Sequence, residues 1–225
     1  MNNLRVVLFL IHMCLILSGT EELIAQNTLT QDSLISAFRK GRWLSGLSGS
    51  ISSSTNNFGN SAEKRSINEF GINIFTGKFI KDQWLIGGSI ITERDNATGD
   101  VDRTTESLYF GPFLSWYFSR NPRGSMYGSV SSGYVRYKEQ TSLVVMETEV
   151  AQSSDGDGLG AIFSLGYAYV IHDMIAFDIG IDYRVLWVGV DLEQTPFGTS
   201  RSENITIKNT AFTFGFNVIL DEFLF

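Results

Sequence analysis

Residues 175–189 read IAFDIGIDYRVLWVG, and their pattern decides the fold. Every odd position up to Trp187 is apolar, whereas the even positions hold Asp178, Asp182, Arg184 and a glycine beside small or apolar residues. Successive side chains of a β-strand point to opposite faces. The stretch therefore predicts a strand with one wholly apolar face and one face that carries charges.

The same alternation recurs in seven other stretches of the chain. It is clear at 108–118, 159–171 and 206–220, and weaker at 43–53, 67–79, 84–93 and 125–138. Each of the eight stretches has roughly ten residues or more, and a tilted strand needs about 9–11 residues to cross a bilayer. Length and pattern together predict eight strands that can each span a membrane.

The connections between these strands alternate in length. Three are short, at 81–83, 119–124 and 172–174, and four are longer and polar, at 54–66, 94–104, 139–157 and 191–204. This order is typical of an antiparallel up-and-down transmembrane β-barrel, which has short periplasmic turns and long extracellular loops. An even number of strands then places both termini in the periplasm. We thus predict one eight-stranded barrel over residues 43–225.

The first 25 residues have the layout of a cleavable secretory signal peptide. Residues 1–5 carry a positive charge, 6–17 are almost wholly apolar, and Ala25 offers a small residue for cleavage. The apolar run is short for a spanning helix, so a signal anchor is the less favoured alternative. Residues 26–42 are predicted as a periplasmic lead, either a short helix ending near Phe38 or an irregular segment.

Export and composition exclude several classes of site. Cys14 leaves with the signal peptide, so the mature chain has no thiol, and His172 is its only histidine. A zinc site or a Ser-His triad is therefore not expected. The formal net charge of −7 argues against nucleic-acid binding. Residues 153–158 only hint at calcium, because they lack the remaining ligands of a calcium loop. We predict no metal and no cofactor.

Alternation alone does not tell a membrane barrel from a soluble one. Amphipathic aromatic rings favour membrane interfaces, and several lie near the ends of the predicted strands. They are Trp43, Trp84, Tyr109, Trp116, Tyr117, Tyr137 and Trp187. The face opposite the apolar one is dominated by small residues with few charges, which suits a narrow lumen better than a soluble surface. A periplasmic or secreted β-sandwich or lipocalin-like barrel is the alternative.

The chain resembles the small outer-membrane β-barrel proteins, the OmpX/OmpA-barrel and porin-like group, in the form common among Bacteroidetes. The opening at 40–44, with the Gly/Ser alternation after it, is similar to their first strand, and 213–220 is similar to their C-terminal assembly signal. The resemblance assigns that signal to Thr213, Gly215, Val218, Leu220 and Phe225. In that family the signal ends at the last residue, whereas here residues 221–225 come after it. Either Leu220 or Phe225 therefore ends the last strand.

The resemblance also implies partners, namely outer-membrane lipid and the barrel-assembly machinery, with the protein as a monomer. For function it implies an outer-membrane barrel with a structural, surface-interaction or narrow-transport role and no enzymatic activity. Two alternatives stay open at this point. One is a barrel enzyme that modifies lipid, and the other is the soluble binding barrel.

The candidate functional residues are polar side chains that alternation directs into the lumen. They are Glu69, Asn73, Arg136, Asp178, Asp182 and Arg184. Side chains rather than water fill an eight-stranded barrel, and buried charges must pair. We therefore expect Arg136 and Arg184 to pair with Glu69, Asp178 or Asp182 as an ion-pair plug. A pore or gate and a catalytic carboxylate pair are the alternatives.

Overall fold

The computed structural model describes residues 36–57, 64–98, 101–145, 148–172, 174–195 and 199–222. Their regular secondary structure is entirely β-strand. Within these residues no helix has the length and apolarity to cross a membrane. The strands are β1 (Trp43–Asn57), β2 (Lys64–Lys81), β3 (Trp84–Thr98), β4 (Val101–Tyr117), β5 (Gly124–Val145), β6 (Thr148–His172), β7 (Ile175–Thr195) and β8 (Thr199–Leu220).

The eight strands form a closed barrel. Each strand pairs antiparallel with the next, and β1 also pairs with β8, from Trp43 opposite Leu220 to Ile51 opposite Phe212. Closure satisfies the backbone hydrogen bonds of both strands along this ladder, which is what allows a sheet to lie in lipid. The predicted eight-stranded antiparallel up-and-down barrel is confirmed.

The wall of the barrel is apolar outside and more polar inside. On β7, Ile179 and Ile181 are exposed, whereas Asp178, Asp182 and Arg184 are buried. Every strand contributes exposed apolar side chains to this outer surface, which we call the apolar belt. The belt includes Leu47, Ile74, Ile90, Phe110, Val130, Leu165, Ile181 and Phe216. A continuous apolar surface around a closed barrel is the surface of a membrane-spanning barrel.

Most of the segments predicted as long loops are strand instead. β5 continues to Val145 and β6 begins at Thr148, so the predicted loop at 139–157 lies almost wholly inside these two strands. The predicted loops at 94–104 and 191–204 are likewise mostly strand. The reason is that the apolar outward face ends where the strand leaves the belt. Beyond the belt the outer face is polar, whereas the inner face carries buried apolar residues such as Tyr137, Val188 and Val190, so the ladder continues with the sense of the pattern reversed.

The two ends of the barrel differ. The end that carries residues 36–42 and the turns at 82–83 and 118–123 is called the short-turn end. At the other end, called the long-strand end, the strands run past the belt. On β6 the belt begins at Leu159, and the residues from Thr148 up to it span about 35 Å of strand. The strands therefore project beyond the belt at the long-strand end, whereas short turns join them at the other end.

Candidate functional site

An aromatic cluster closes the lumen at the short-turn end. Phe38, from the segment before β1, is fully buried and stacks on Tyr117, with ring centroids 4.2 Å apart. Phe79 packs against both rings, at centroid distances of 6.0 Å and 5.5 Å. Leu44, Leu85 and Ile219 belong to the same buried cluster. We call Phe38, Phe79 and Tyr117 the aromatic floor, because their packed rings are buried in the barrel interior at this level.

Polar contacts hold the segment at 36–42 in place. The Gln83 N–H donates to the Phe38 carbonyl at 2.8 Å, and the Lys40 N–H donates to Asp82 Oδ1 at 2.9 Å. Arg39 and Arg42 both contact Asp221 Oδ1, at 2.8 Å and 2.9 Å. Residues 37–38 and 40–41 form turns, whereas the earlier part of the predicted lead and the signal peptide lie outside the described residues.

A polar cavity of about 80 Å³ lies above the floor. Hydroxyl groups form most of its polar wall, together with two asparagines and two aspartates. These groups belong to Ser48, Ser89, Ser115, Ser129, Ser131, Ser164, Thr213, Tyr117, Tyr127, Asn73, Asn217, Asp178 and Asp182. Asp178 is 6% exposed and accepts hydrogen bonds from Asn217 Nδ2 at 2.7 Å and from the Tyr127 hydroxyl at 3.3 Å.

A row of inward-facing residues crosses the wall of this cavity. The strand register places Asp178 opposite Gly215, Gly215 opposite Ser48, and Ser48 opposite Asn73. A Cβ atom on Gly215 would lie 2.6 Å from the Ser48 Cβ, so the row requires glycine at this point. The amide oxygens of Asn73 and Asn217 are buried and have no hydrogen-bond partner.

A layer of charged side chains closes the cavity toward the long-strand end. Arg184, 2% exposed, donates to Asp182 at 3.0 Å and also forms a salt bridge with Glu93. We call these three residues the charged layer. A wider cavity of about 340 Å³ lies beyond it, where Arg103 contacts Asp95 at 3.8 Å and Glu139 at 3.9 Å. Taking such charges out of water is costly, and attraction between close partners such as Arg184 and Asp182 offsets that cost.

Of the six residues predicted in the lumen, four line the interior. Asn73, Asp178 and Asp182 lie on the wall of the polar cavity, and Arg184 lies in the charged layer. Arg184 contacts the predicted Asp182, whereas Asp178 is held by Asn217 and Tyr127 rather than by an arginine. The side chain of Glu69 lies outside the described part of the chain.

The prediction that Arg136 faces the lumen is wrong. Its side chain is 63% exposed and contacts Asp155 at 3.9 Å on the outer surface. Val135 and Tyr137, on either side of it, are the buried residues of this part of β5, and Tyr134 is exposed like Arg136. Alternation is weak in β5, and Arg136 shares the outward face just beyond the belt. The predicted pairing of Arg136 with lumen acids is therefore also wrong.

Glu93 is an interior charged residue that was not among the predicted lumen residues. It lies at the last position of the predicted strand at 84–93, and β3 continues past it to Thr98. Ile91 is buried and Ile90 is exposed, so the odd positions of β3 face inward. Extending this alternation by two residues would have placed Glu93 in the lumen, within reach of Arg184.

Three tyrosines predicted at the membrane interface lie inside the barrel. Tyr109, Tyr117 and Tyr137 are buried, whereas Trp116 and Trp187 are exposed on the outer surface. Each tyrosine lies at an alternate position of its strand that also carries glycine or serine and faces inward. The aliphatic residues of the belt lie at the other positions and face outward. Closeness to a strand end therefore does not by itself place a ring in lipid.

The described residues of the predicted assembly signal alternate across β8. Thr213 is buried, Gly215 belongs to the row in the cavity wall, and Val218 is exposed. Leu220 ends β8, and Phe225 lies outside the described residues. His172 ends β6, and residues 153–158 lie within that strand. The described part of the chain contains no group of three or more acidic, histidine or cysteine residues that could hold a metal.

No family model matches the chain, and neither does any curated protein. Solved structures do match. The outer membrane protein OprG from Pseudomonas aeruginosa matches with a TM-score of 0.53 and 11% identity, over 81% of this chain and 97% of that one. A major outer membrane protein from Thermus thermophilus matches with a TM-score of 0.50 and 7% identity, over 80% of this chain and 99% of that one. The chain therefore has the fold of the small outer-membrane β-barrel proteins.

Proposed function

We propose that this protein is a closed, non-enzymatic outer-membrane barrel that carries rigid β-structure beyond the outer face of the membrane. The observation that carries the proposal is the closure of the lumen at two levels. The aromatic floor closes it at the short-turn end, and the charged layer closes it above the polar cavity. Passive transport through the barrel is therefore not its role.

The projecting strands supply the other half of the proposal. β5 to β8 have 22, 25, 21 and 22 residues, about twice the 9–11 that a tilted strand needs to cross the bilayer. Strands that continue their ladder past the belt form a stiff surface in water. Such a surface suits contact with other molecules at the cell surface better than it suits a chemical reaction.

The barrel interior also argues against the lipid-modifying alternative. Asp178 lies between the floor and the charged layer, and Asp182 belongs to that layer; both are buried and hydrogen-bonded. A lipid substrate in the bilayer has no path to them through a closed wall. Their arrangement suits packing and register rather than acid–base work.

Single cysteines test this orientation. Cys14, the only cysteine of the sequence, lies in the predicted signal peptide, and its replacement by alanine prevents labelling of any uncleaved chain. Asp155→Cys then places a thiol at the long-strand end, and Arg120→Cys places one at the short-turn end, both at exposed positions. In intact cells we expect a membrane-impermeant maleimide to label position 155 and to spare position 120 until the cells are broken. The reverse labelling pattern would contradict the proposal.

A further inference from the structure

We propose that the polar cavity binds one monovalent metal cation, Na⁺ or K⁺, beside Asp178. Arg184 already contacts two carboxylates, those of Asp182 and Glu93. Asp178 forms no salt bridge with any described residue, and its two hydrogen-bond donors, Asn217 and Tyr127, are neutral. The cavity wall therefore carries a carboxylate charge that the described side chains do not balance.

Two unused amide oxygens lie on the same wall. Asn217 is 2% exposed, and while its amide nitrogen donates to Asp178, its Oδ1 atom has no hydrogen-bond partner. Asn73 Oδ1 is also buried and unpartnered. Buried polar atoms in native proteins nearly always have a partner, so two such oxygens in one cavity indicate an occupant that accepts oxygen ligands. Water and a metal cation are the two candidates.

The chemistry of the wall favours a cation with a few waters. Its polar atoms are carboxylate, amide and hydroxyl oxygens, the ligands that hard cations take. A buried charge is normally paired or coordinates a metal, and Asp178 lacks a charged pair. The volume of about 80 Å³ holds an ion with one or two waters, at about 30 Å³ for each water.

The number of carboxylates selects the charge of the ion. Within the cavity, Asp178 alone lacks a cationic neighbour among the described residues, because Asp182 contacts Arg184. The remaining ligands of the site are neutral, so a single positive charge balances Asp178. Glu93, the second carboxylate that Arg184 contacts, lies on the wall of the wider cavity and is not a ligand here. The floor and the charged layer enclose the site, so the ion is structural. This inference does not depend on the proposed function.

Ion-dependent stability tests the site. The folded barrel in a non-ionic detergent is heated in NaCl, KCl, or the chloride of N-methylglucamine, a cation too large for the cavity, at equal ionic strength. Unfolding is followed by the loss of heat-modifiable gel migration. We expect Na⁺ or K⁺ to raise the midpoint by about 3 °C or more over N-methylglucamine. Asp178→Asn should abolish the difference, and Asp155→Asn, which removes an exposed carboxylate, should preserve it.

Two results would overturn the proposal. One is an equal midpoint for the wild-type protein in all three salts, and the other is a difference that Asp178→Asn leaves unchanged. Stabilisation by Mg²⁺ or Ca²⁺ alone would overturn the monovalent assignment. Crystals grown with thallium(I), which mimics K⁺ and scatters anomalously, give a readout that does not need a variant. We expect an anomalous peak next to the Asp178 carboxylate, and its absence would count against the site.

Discussion

The ring of Phe38 stacks on the ring of Tyr117, with centroids 4.2 Å apart and planes inclined by 21°. One ring belongs to the segment before β1 and the other to the last residue of β4. The contact therefore joins a non-strand segment to the barrel wall at the level where the lumen closes. Because both rings are buried, it contributes packing energy as well as closure.

Replacing Phe38 by alanine should destabilise the barrel. Removing a fully buried phenylalanine costs about 3–5 kcal/mol, which urea unfolding in detergent or vesicles would measure. Liposome swelling with small sugars should stay at the wild-type level for this single variant, because the charged layer still closes the lumen, and should rise only when Arg184→Met is added. Phe110→Ala removes a ring from the belt instead, so Phe110→Ala combined with Arg184→Met is the matched control and keeps the aromatic floor. Equal swelling of the two double variants would refute the role of Phe38.

Removing Arg184 should destabilise the interior strongly. Arg184→Met leaves Asp182 and Glu93 as buried carboxylates without their guanidinium, at a cost of about 3–5 kcal/mol in the free energy of unfolding. The triple variant that also carries Asp182→Asn and Glu93→Gln removes those charges and should recover much of the loss. If the triple variant were no more stable than Arg184→Met, unpaired charge would not be the cause.

Arg136→Ala should change the stability little. Its partner Asp155 is exposed and their charged atoms are 3.9 Å apart, so the pair contributes about 0–1 kcal/mol. Urea unfolding of this variant beside Arg184→Met compares an outer arginine with an inner one. A loss as large as that of Arg184→Met would show that Arg136 is buried after all.

Neutralising Asp221 should release the segment that carries Phe38. Asp221 contacts both Arg39 and Arg42, and the Arg42 side chain is almost wholly buried. Asp221→Asn should accelerate trypsin cleavage after Arg39, Lys40 or Arg42, measured by mass spectrometry of the N-terminal fragment. Glu222→Gln, at the neighbouring exposed position, serves as the control and should cleave at the wild-type rate. Identical rates for the three proteins would show that these ion pairs do not hold the segment.

The sequence predicted the barrel well because lipid imposes a regular pattern. On β7 the same alternation gave both the strand and the correct faces of Asp178, Asp182 and Arg184. It is wrong at Arg136, because beyond the belt the outer face accepts charge while Val135 and Tyr137 face inward. The extensions of β5 and β6 differ from the predicted loops for the same reason. Where the strands leave lipid, a polar side chain no longer marks the inward face.

The aromatic floor was beyond sequence reasoning for a different reason. Phe38 lies in an aperiodic segment, and its burial depends on tertiary contacts with Tyr117 and Phe79. The inward direction of Glu93 was predictable from the sequence, because Ile91, two residues earlier on the same strand, faces inward. Arg184 pairs with both Glu93 and Asp182. Predicting the contact with Glu93 requires the register between strands, and alternation within one strand does not give that register.

Single-channel recording of the wild-type protein in planar bilayers measures whether the lumen is closed at two levels. We expect no steady conductance steps when the folded barrel inserts in KCl, and steps when Phe38→Ala and Arg184→Met are combined. Steady open-channel steps from wild-type protein whose gel migration shows it to be folded would mean that the lumen is open.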